Sequence, residues 1–223
     1  MKDFFKKSKI EADYRKEAKR ICDMHVNKLA IIYLVYFAII FAVAIIENLL
    51  FGDNTEFNLS INIMGTASWN GGWISLIFVG PFIFSLAYIS KNVFEDIEPK
   101  IEDLFEGFKN FTKSFVIYIL QMVFIILWAL LLIIPGIIKI FAYSMSYYVA
   151  IDNPNLTARE CIKESQRIMK GHKWELFCLH FSYIGWLFLS LFTLGILLLW
   201  VAPRIEQATY LFYLDVSGRG LKS

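Results

Sequence analysis

The stretch KSFVIYILQMVFIILWALLLIIPGIIKIFAYSMSYYVAID, residues 113–152, decides how the whole chain is read. Its 40 residues are almost all apolar, with Pro135-Gly136 near the middle. As one helix it would measure roughly 60 Å at 1.5 Å per residue. The hydrocarbon core of a bilayer is only about 30 Å thick. The stretch therefore reads as two membrane-spanning helices folded back at Pro-Gly. Composition agrees: 57% of residues are hydrophobic, 19% are charged, and the mean hydropathy is +0.54. Soluble domains run at about 45–50% apolar and 25% charged. Aromatic residues, at 17%, suit a chain with many interfacial Trp and Tyr. A net charge of +2 is too small to point to nucleic acid.

Working outward, four more apolar runs qualify as spans: Leu29–Leu50, Trp73–Ser90, Trp174–Phe192 and Ile196 to about Asp215. With Ser114–Ile134 and Gly136–Ile151 they make six. Gly80-Pro81 inside the second should kink it, since proline removes a backbone donor. The segments between are of two kinds. Residues 51–72 are polar and carry no Lys or Arg, and Gly65–Trp73 reads as a loop returning to the interface at Trp69 and Trp73. Three others are charged with an apolar stripe at helical spacing. In the first 28 residues Ile10, Tyr14, Ala18, Ile21 and His25 recur at three or four. This is read as a helix on the inner membrane surface or as a plain solvated charged helix. Residues 95–111 place Ile97, Ile101, Leu104, Phe105, Phe108 and Phe111 on one face, which reads as an interfacial helix. In the third, Thr157 and Glu160 form a capping box opening a helix that Gly171 ends. No cleavable signal peptide is read in the charged N-terminal stretch. Cys22, Cys161 and Cys178, an odd number without a CxxC pair, read as free structural thiols.

The basic residues set the topology. Nine precede the first span, four lie between spans two and three, five between four and five, and three follow from Arg204 onward. Only Lys139, by the Pro-Gly turn, falls on the other side. The positive-inside rule then places both termini in the cytoplasm. The expected architecture is an all-α polytopic membrane protein: six transmembrane helices in three hairpins, each preceded by a cytoplasmic interfacial amphipathic helix. It forms one membrane domain over residues 1–223. An amphipathic helix occupies 1–28 and hairpin 1 occupies 29–90. Residues 91–151 and 152–216 each hold an interfacial helix and a hairpin, and 217–223 are a tail.

This layout is one unit used three times. The joints MHVNKLA, GFKNFTKSF and KGHKWELF look alike, and SYYVAID (146–152) matches TYLFYLD (209–215) at an offset of 63. The ordered motifs DLFEGFKNF, LLIIPGI, ESQRIMKGHKWELF, FSYIGWLFLSLFTLGILLLW and ATYLFYLD resemble the bacterial membrane family known as domain of unknown function 975. More distantly the chain resembles the membrane region fused to some glycerophosphodiester phosphodiesterases. The resemblance implies a fold and a bacterial cytoplasmic membrane, and no activity.

Ionisable residues inside an apolar span are costly and usually face a bundle interior or water. WVAPRIEQATY in span six places Arg204 about 12 Å and Glu206 about 15 Å from Ile196 at 1.5 Å per residue. Arg204 would suit an anionic head group, and Glu206 would balance Arg204 or carry a proton or cation. With Gln121 and His180 they form the candidate intramembrane binding site. The competing readings are a helix broken at Pro203 that leaves both as interfacial anchors, or a structural ion pair with Gln121 or His180. Arg159, Lys163, Arg167, Lys170 and Lys173 are candidates for anionic lipid. Three scattered histidines lack metal-ligand spacing, and no catalytic motif is present. The expectations are therefore no enzyme, no cofactor, no metal and no nucleic acid. Membrane lipids are the expected partners, with a partner protein or a homo-oligomer alongside. The first functional reading is transport or handling of a small anionic molecule or lipid. The alternative is a non-catalytic scaffold or accessory subunit that binds through its cytoplasmic helices.

Overall fold

The structure is a computed structural model that describes residues 2–51, 58–60, 68–70, 73–131, 133–193 and 195–219. It is helical apart from two three-residue strands, β1 (Asn58–Ser60) and β2 (Ser68–Asn70), which pair antiparallel with Leu59 opposite Trp69. The rest of the loop expected to return to the interface lies outside the described residues. The helices are α1 (Lys2–Met24), α2 (Val26–Phe51), α3 (Trp73–Phe94), α4 (Glu106–Lys109), α5 (Phe111–Leu131), α6 (Ile133–Tyr143), α7 (Ser146–Asp152), α8 (Ala158–Ile168), α9 (Lys173–Phe181), α10 (Ile184–Phe192) and α11 (Leu198–Val216). A 3₁₀ turn, Ile101–Phe105, precedes α4. Among the described residues three segments are long and apolar enough to cross a membrane: Val26–Glu47, Leu76–Phe94 and Phe111–Leu130.

Two expected spans are broken helices. The fourth divides into α6 and α7 at Ser144-Met145, and the fifth into α9 and α10 at Ser182-Tyr183. A helix break frees backbone groups that need other partners, and serine hydroxyls supply them. Ser144 Oγ donates to Phe141 O at 2.9 Å and Ser146 Oγ to Tyr143 O at 2.7 Å. From α8, Ser165 Oγ donates to Ala142 O at 2.9 Å and accepts from Met145 N–H at 3.2 Å. Ser182 Oγ donates to Leu179 O at 2.6 Å. By contrast α11 runs unbroken through Pro203. The expected 95–111 helix is also interrupted. Asp96 takes a left-handed φ of 59°, Lys100 after Pro99 is extended, and only the 3₁₀ turn and α4 follow.

The apolar stripes of α1 and α8 are covered by protein, whereas in the 95–111 segment Leu104 is buried and Ile97, Ile101 and Phe105 stay exposed. On α1, Tyr14, Ala18, Ile21 and Cys22 are buried against α11, which runs antiparallel. Tyr14 donates its hydroxyl to Asp215, Cys22 Sγ donates to Pro203 O at 3.5 Å, and Arg204 Nη2 donates to Asp23 at 2.9 Å. On α8, Ala158, Cys161, Ile162 and Ser165 are buried, and α8 folds back along α7. Its capping box forms as expected, Thr157 N–H and Oγ1 donating to Glu160 at 2.8 and 2.7 Å. The 3₁₀ turn and α4 lie on α3. Leu104 is fully buried, and Gly107 sits so close that a Cβ there would fall 1.9 Å from Pro81 O.

These contacts follow one rule. A charged helix packs on an apolar one three times over: α4 on α3, α8 on α7, and α1 on α11. The last pairing closes the ring across the whole chain. The core lies inside that ring, among α1, the inner end of α3, α7, α8, α9 and α11. Each fully buried Leu, Ile or Phe there contributes roughly 1.5–3 kcal/mol.

Candidate functional site

The ends of α3, α7 and α11 converge, and each brings a polar residue. Lys91 comes from α3, Asp152 ends α7, and Tyr213 lies near the end of α11. Only 6% of the Asp152 side chain is exposed. It accepts from Lys91 Nζ at 2.9 Å, from the Tyr213 hydroxyl at 2.8 Å, and from Arg219 Nη1. Lys113, from α5, donates to Ala150 O, Asn153 O and Pro154 O at 3.2, 2.9 and 3.1 Å. It thereby satisfies carbonyls at the end of α7, where a cation is favoured. Arg219 also lies over the Tyr213 ring, 5.9 Å from its centroid. Beneath, Tyr148 stacks on Tyr213 at 5.4 Å and donates to Glu206 at 3.1 Å. A buried pair of this kind costs desolvation and fixes geometry more than it adds net stability. Asp152, at the end of α7, draws donors from α3 and from the end of α11, so its chemistry is that of a fastening.

The four residues expected to form an intramembrane site each have a different partner. Arg204 pairs with Asp23 of α1, and Glu206 accepts from Tyr148. Gln121 Nε2 donates to Tyr143 O at 2.9 Å. His180 places Nδ1 3.1 Å from Leu176 O and Nε2 3.2 Å from Thr209 Oγ1. A cleft lined by Cys22, Leu29, Trp200, Pro203 and Arg204 offers about 10 Å³, room for the centre of one water. On α8, Arg159, Lys163 and Arg167 are exposed; Lys170, in the turn after it, is exposed and Lys173, opening α9, is partly so. Arg167 is tied to Glu164 at 2.8 Å, which holds that carboxyl below the usual range. His25 faces Asp96 at 3.4 Å, and His172 lies 2.8 Å from Glu175. Among the described residues no group of His, Cys, Asp and Glu has the arrangement of a metal site.

Sequence reasoning missed Lys91, Asp152, Tyr213 and Arg219. The signal was present in the matched ends SYYVAID and TYLFYLD. They place Asp152 and Asp215 at equivalent positions, and each binds a tyrosine from another unit.

No curated protein and no solved structure matches the chain. The likeness to the membrane region of glycerophosphodiester phosphodiesterases thus finds no counterpart in these comparisons. A family model does match, from the end of α5 to just past α11, a stretch that includes Asp152, Arg204, Glu206, Tyr213 and Arg219. Residues 130–220 match the model of the family described as protein of unknown function, DUF975.

Proposed function

We propose that this chain is a non-catalytic component of a bacterial cytoplasmic membrane, a scaffold or accessory subunit that holds a partner protein through its cytoplasmic helices. The observation that carries this reading is that Arg204, Glu206, Gln121 and His180 each satisfy a different neighbour. Nothing converges on a common ligand position among them. On the basic side Ile97, Ile101 and Phe105 stay exposed, at 44–48%, and offer apolar surface to a partner. The arrangement we favour has three hairpins directed away from the cytoplasm, with both termini on the cytoplasmic side.

Native mass spectrometry of the protein gently extracted from its own membrane tests the reading. A co-purifying second polypeptide, lost when Ile101 and Phe105 are changed to Ser, is the expected result. A retained anionic lipid or small molecule that disappears in Arg204→Ala would overturn it in favour of transport or lipid handling. Topology is tested separately by cysteines at positions 55 and 105. An impermeant maleimide should reach the first from outside and not the second.

A further inference from the structure

The polar helices limit how much of each hairpin hydrocarbon can surround. Beside α11, α1 exposes Arg15, Lys16, Lys19, Arg20 and Asp23 along the length of α11 from Asp215 down to Arg204. Beside α6 and α7, α8 exposes Arg159, Lys163 and Arg167 down to the level of Ala142, where Ser165 is bonded. Beside α3, the 3₁₀ turn and α4 expose Glu102 and Lys109 down to Pro81, against which Gly107 is seated. Charged surfaces of this density do not lie in hydrocarbon. Beyond this collar, the second legs keep only residues 73–80, 133–141 and 198–202. At 1.5 Å per residue these reach about 12, 13 and 8 Å.

First legs joined by short turns can go no deeper than their second legs. One residue separates α5 from α6, and five separate α10 from α11. The turns are also apolar in sequence: LLIIPGII (131–138) and TLGILLLW (193–200) contain one hydroxyl and no charge. Around them Leu130 is 86% exposed and Phe192 83%. The one cation in this apolar crown is Lys139. Its Nζ lies 4.8 Å from the Trp128 ring and 5.7 Å from that of Tyr143, at the collar.

We propose that hairpins 2 and 3 enter the cytoplasmic leaflet and turn back inside it. The partner of their apolar surface is then the acyl-chain layer of one leaflet, about half of a 30 Å hydrocarbon core. The basic residues exposed at the collar meet the anionic head groups of that same leaflet. Lys139 then sits one helical turn from those head groups, and all 22 Lys and Arg residues fall on one side of the membrane. Hairpin 1 is the one whose far end can reach past that leaflet: its second leg is as short, but α2 runs on to Phe51 and the 51–72 segment that follows is long and polar. The inference rests on the membrane reading of the preceding section.

Single cysteines at Ile138, Phe192 and Ile196 test it, with Thr55→Cys as reference. The background carries Cys22→Ala, Cys161→Ala and Cys178→Ala and is first checked by size exclusion for a folded monodisperse protein. In reconstituted vesicles, the three crown positions should lose labelling by an impermeant maleimide from both sides. A fluorophore attached there in detergent should be quenched most by lipids brominated at the acyl-chain end, while Thr55→Cys labels from outside only. Labelling of Ile196→Cys or Ile138→Cys from outside would overturn the inference and restore six full crossings. If every position, Thr55→Cys included, reacts freely on the collar side without quenching, the membrane reading itself falls.

Discussion

The expected hairpin 1 and the expected hairpins 2 and 3 are built from the same kind of helix, yet their far ends differ. The first turns through residues 51–72, with Asp53, Glu56 and a run of Asn, Ser and Thr. The other two turn through Leu, Ile, Pro and Gly. At their near ends the three units are alike, each second leg covered by a short amphipathic helix and tied into the core. Packing and polar bonding are therefore concentrated in the collar. The crown presents apolar side chains with no protein over them. Burial inside the protein and burial in lipid draw on the same residue types but follow different rules of close packing.

Asp152→Ala should sharpen the contrast most. It strips Lys91, Tyr213 and Arg219 of a common acceptor, and breaking a buried pair costs about 3–5 kcal/mol. Thermal unfolding in detergent should show a large fall, with Asp152→Asn intermediate. Gly107→Ala comes next. The new Cβ would meet Pro81 O at 1.9 Å, and overpacking of this kind costs about 1–3 kcal/mol. Its crown counterpart, Gly185→Ala, meets nothing within 4 Å and should be neutral or stabilise by up to about 1 kcal/mol, since alanine favours the helix. Equal destabilisation by both would erase the distinction between collar and crown. Tyr14→Phe removes the bond to Asp215 and should cost about 1 kcal/mol, read as earlier proteolysis of α1.

Two smaller effects are chemical. Burial pushes the Cys22 thiol up to about 12 and raises that of Cys161. Both should stay protonated at pH 8 and resist iodoacetamide until the protein unfolds. Rapid alkylation of either in the folded state would mean that its helix is not seated. Glu160 is held below its ordinary value by the Thr157 backbone and hydroxyl. Its contribution to α8 is present above the unfolded carboxyl value and is lost as pH falls through the lowered folded one. Hydrogen exchange at the start of α8 should therefore quicken, beyond the intrinsic pH trend, below about pH 4. Glu160→Gln should remove that dependence.

The helical class, the stripe on α1 and the capping box of α8 were legible because each is encoded within a few residues. What covers the stripe was not legible. Periodicity reports an apolar face, whereas its cover, α11, lies about 200 residues away, Tyr14 meeting Asp215 at a separation of 201. The breaks at Ser144 and Ser182 were hidden for a related reason. A serine is unremarkable within an apolar run, and what makes the first break tenable is Ser165 on another helix. For the candidate site, depth within a span made Arg204 and Glu206 conspicuous, while Asp152 at a segment boundary looked like an ordinary helix stop. The pairings that matter there join residues 61 or more positions apart.

The seating of α1 on α11 also has a consequence in time. The ribosome makes Tyr14 201 residues before Asp215, an interval of about 10–40 s at 5–20 residues per second. Throughout that interval the stripe Tyr14, Ala18, Ile21 and Cys22 has no protein seat. The amphipathic helix must wait on the membrane surface or with a chaperone until α11 emerges. The ring can close only once α11 has been made, which makes the seating of α1 a late step of assembly.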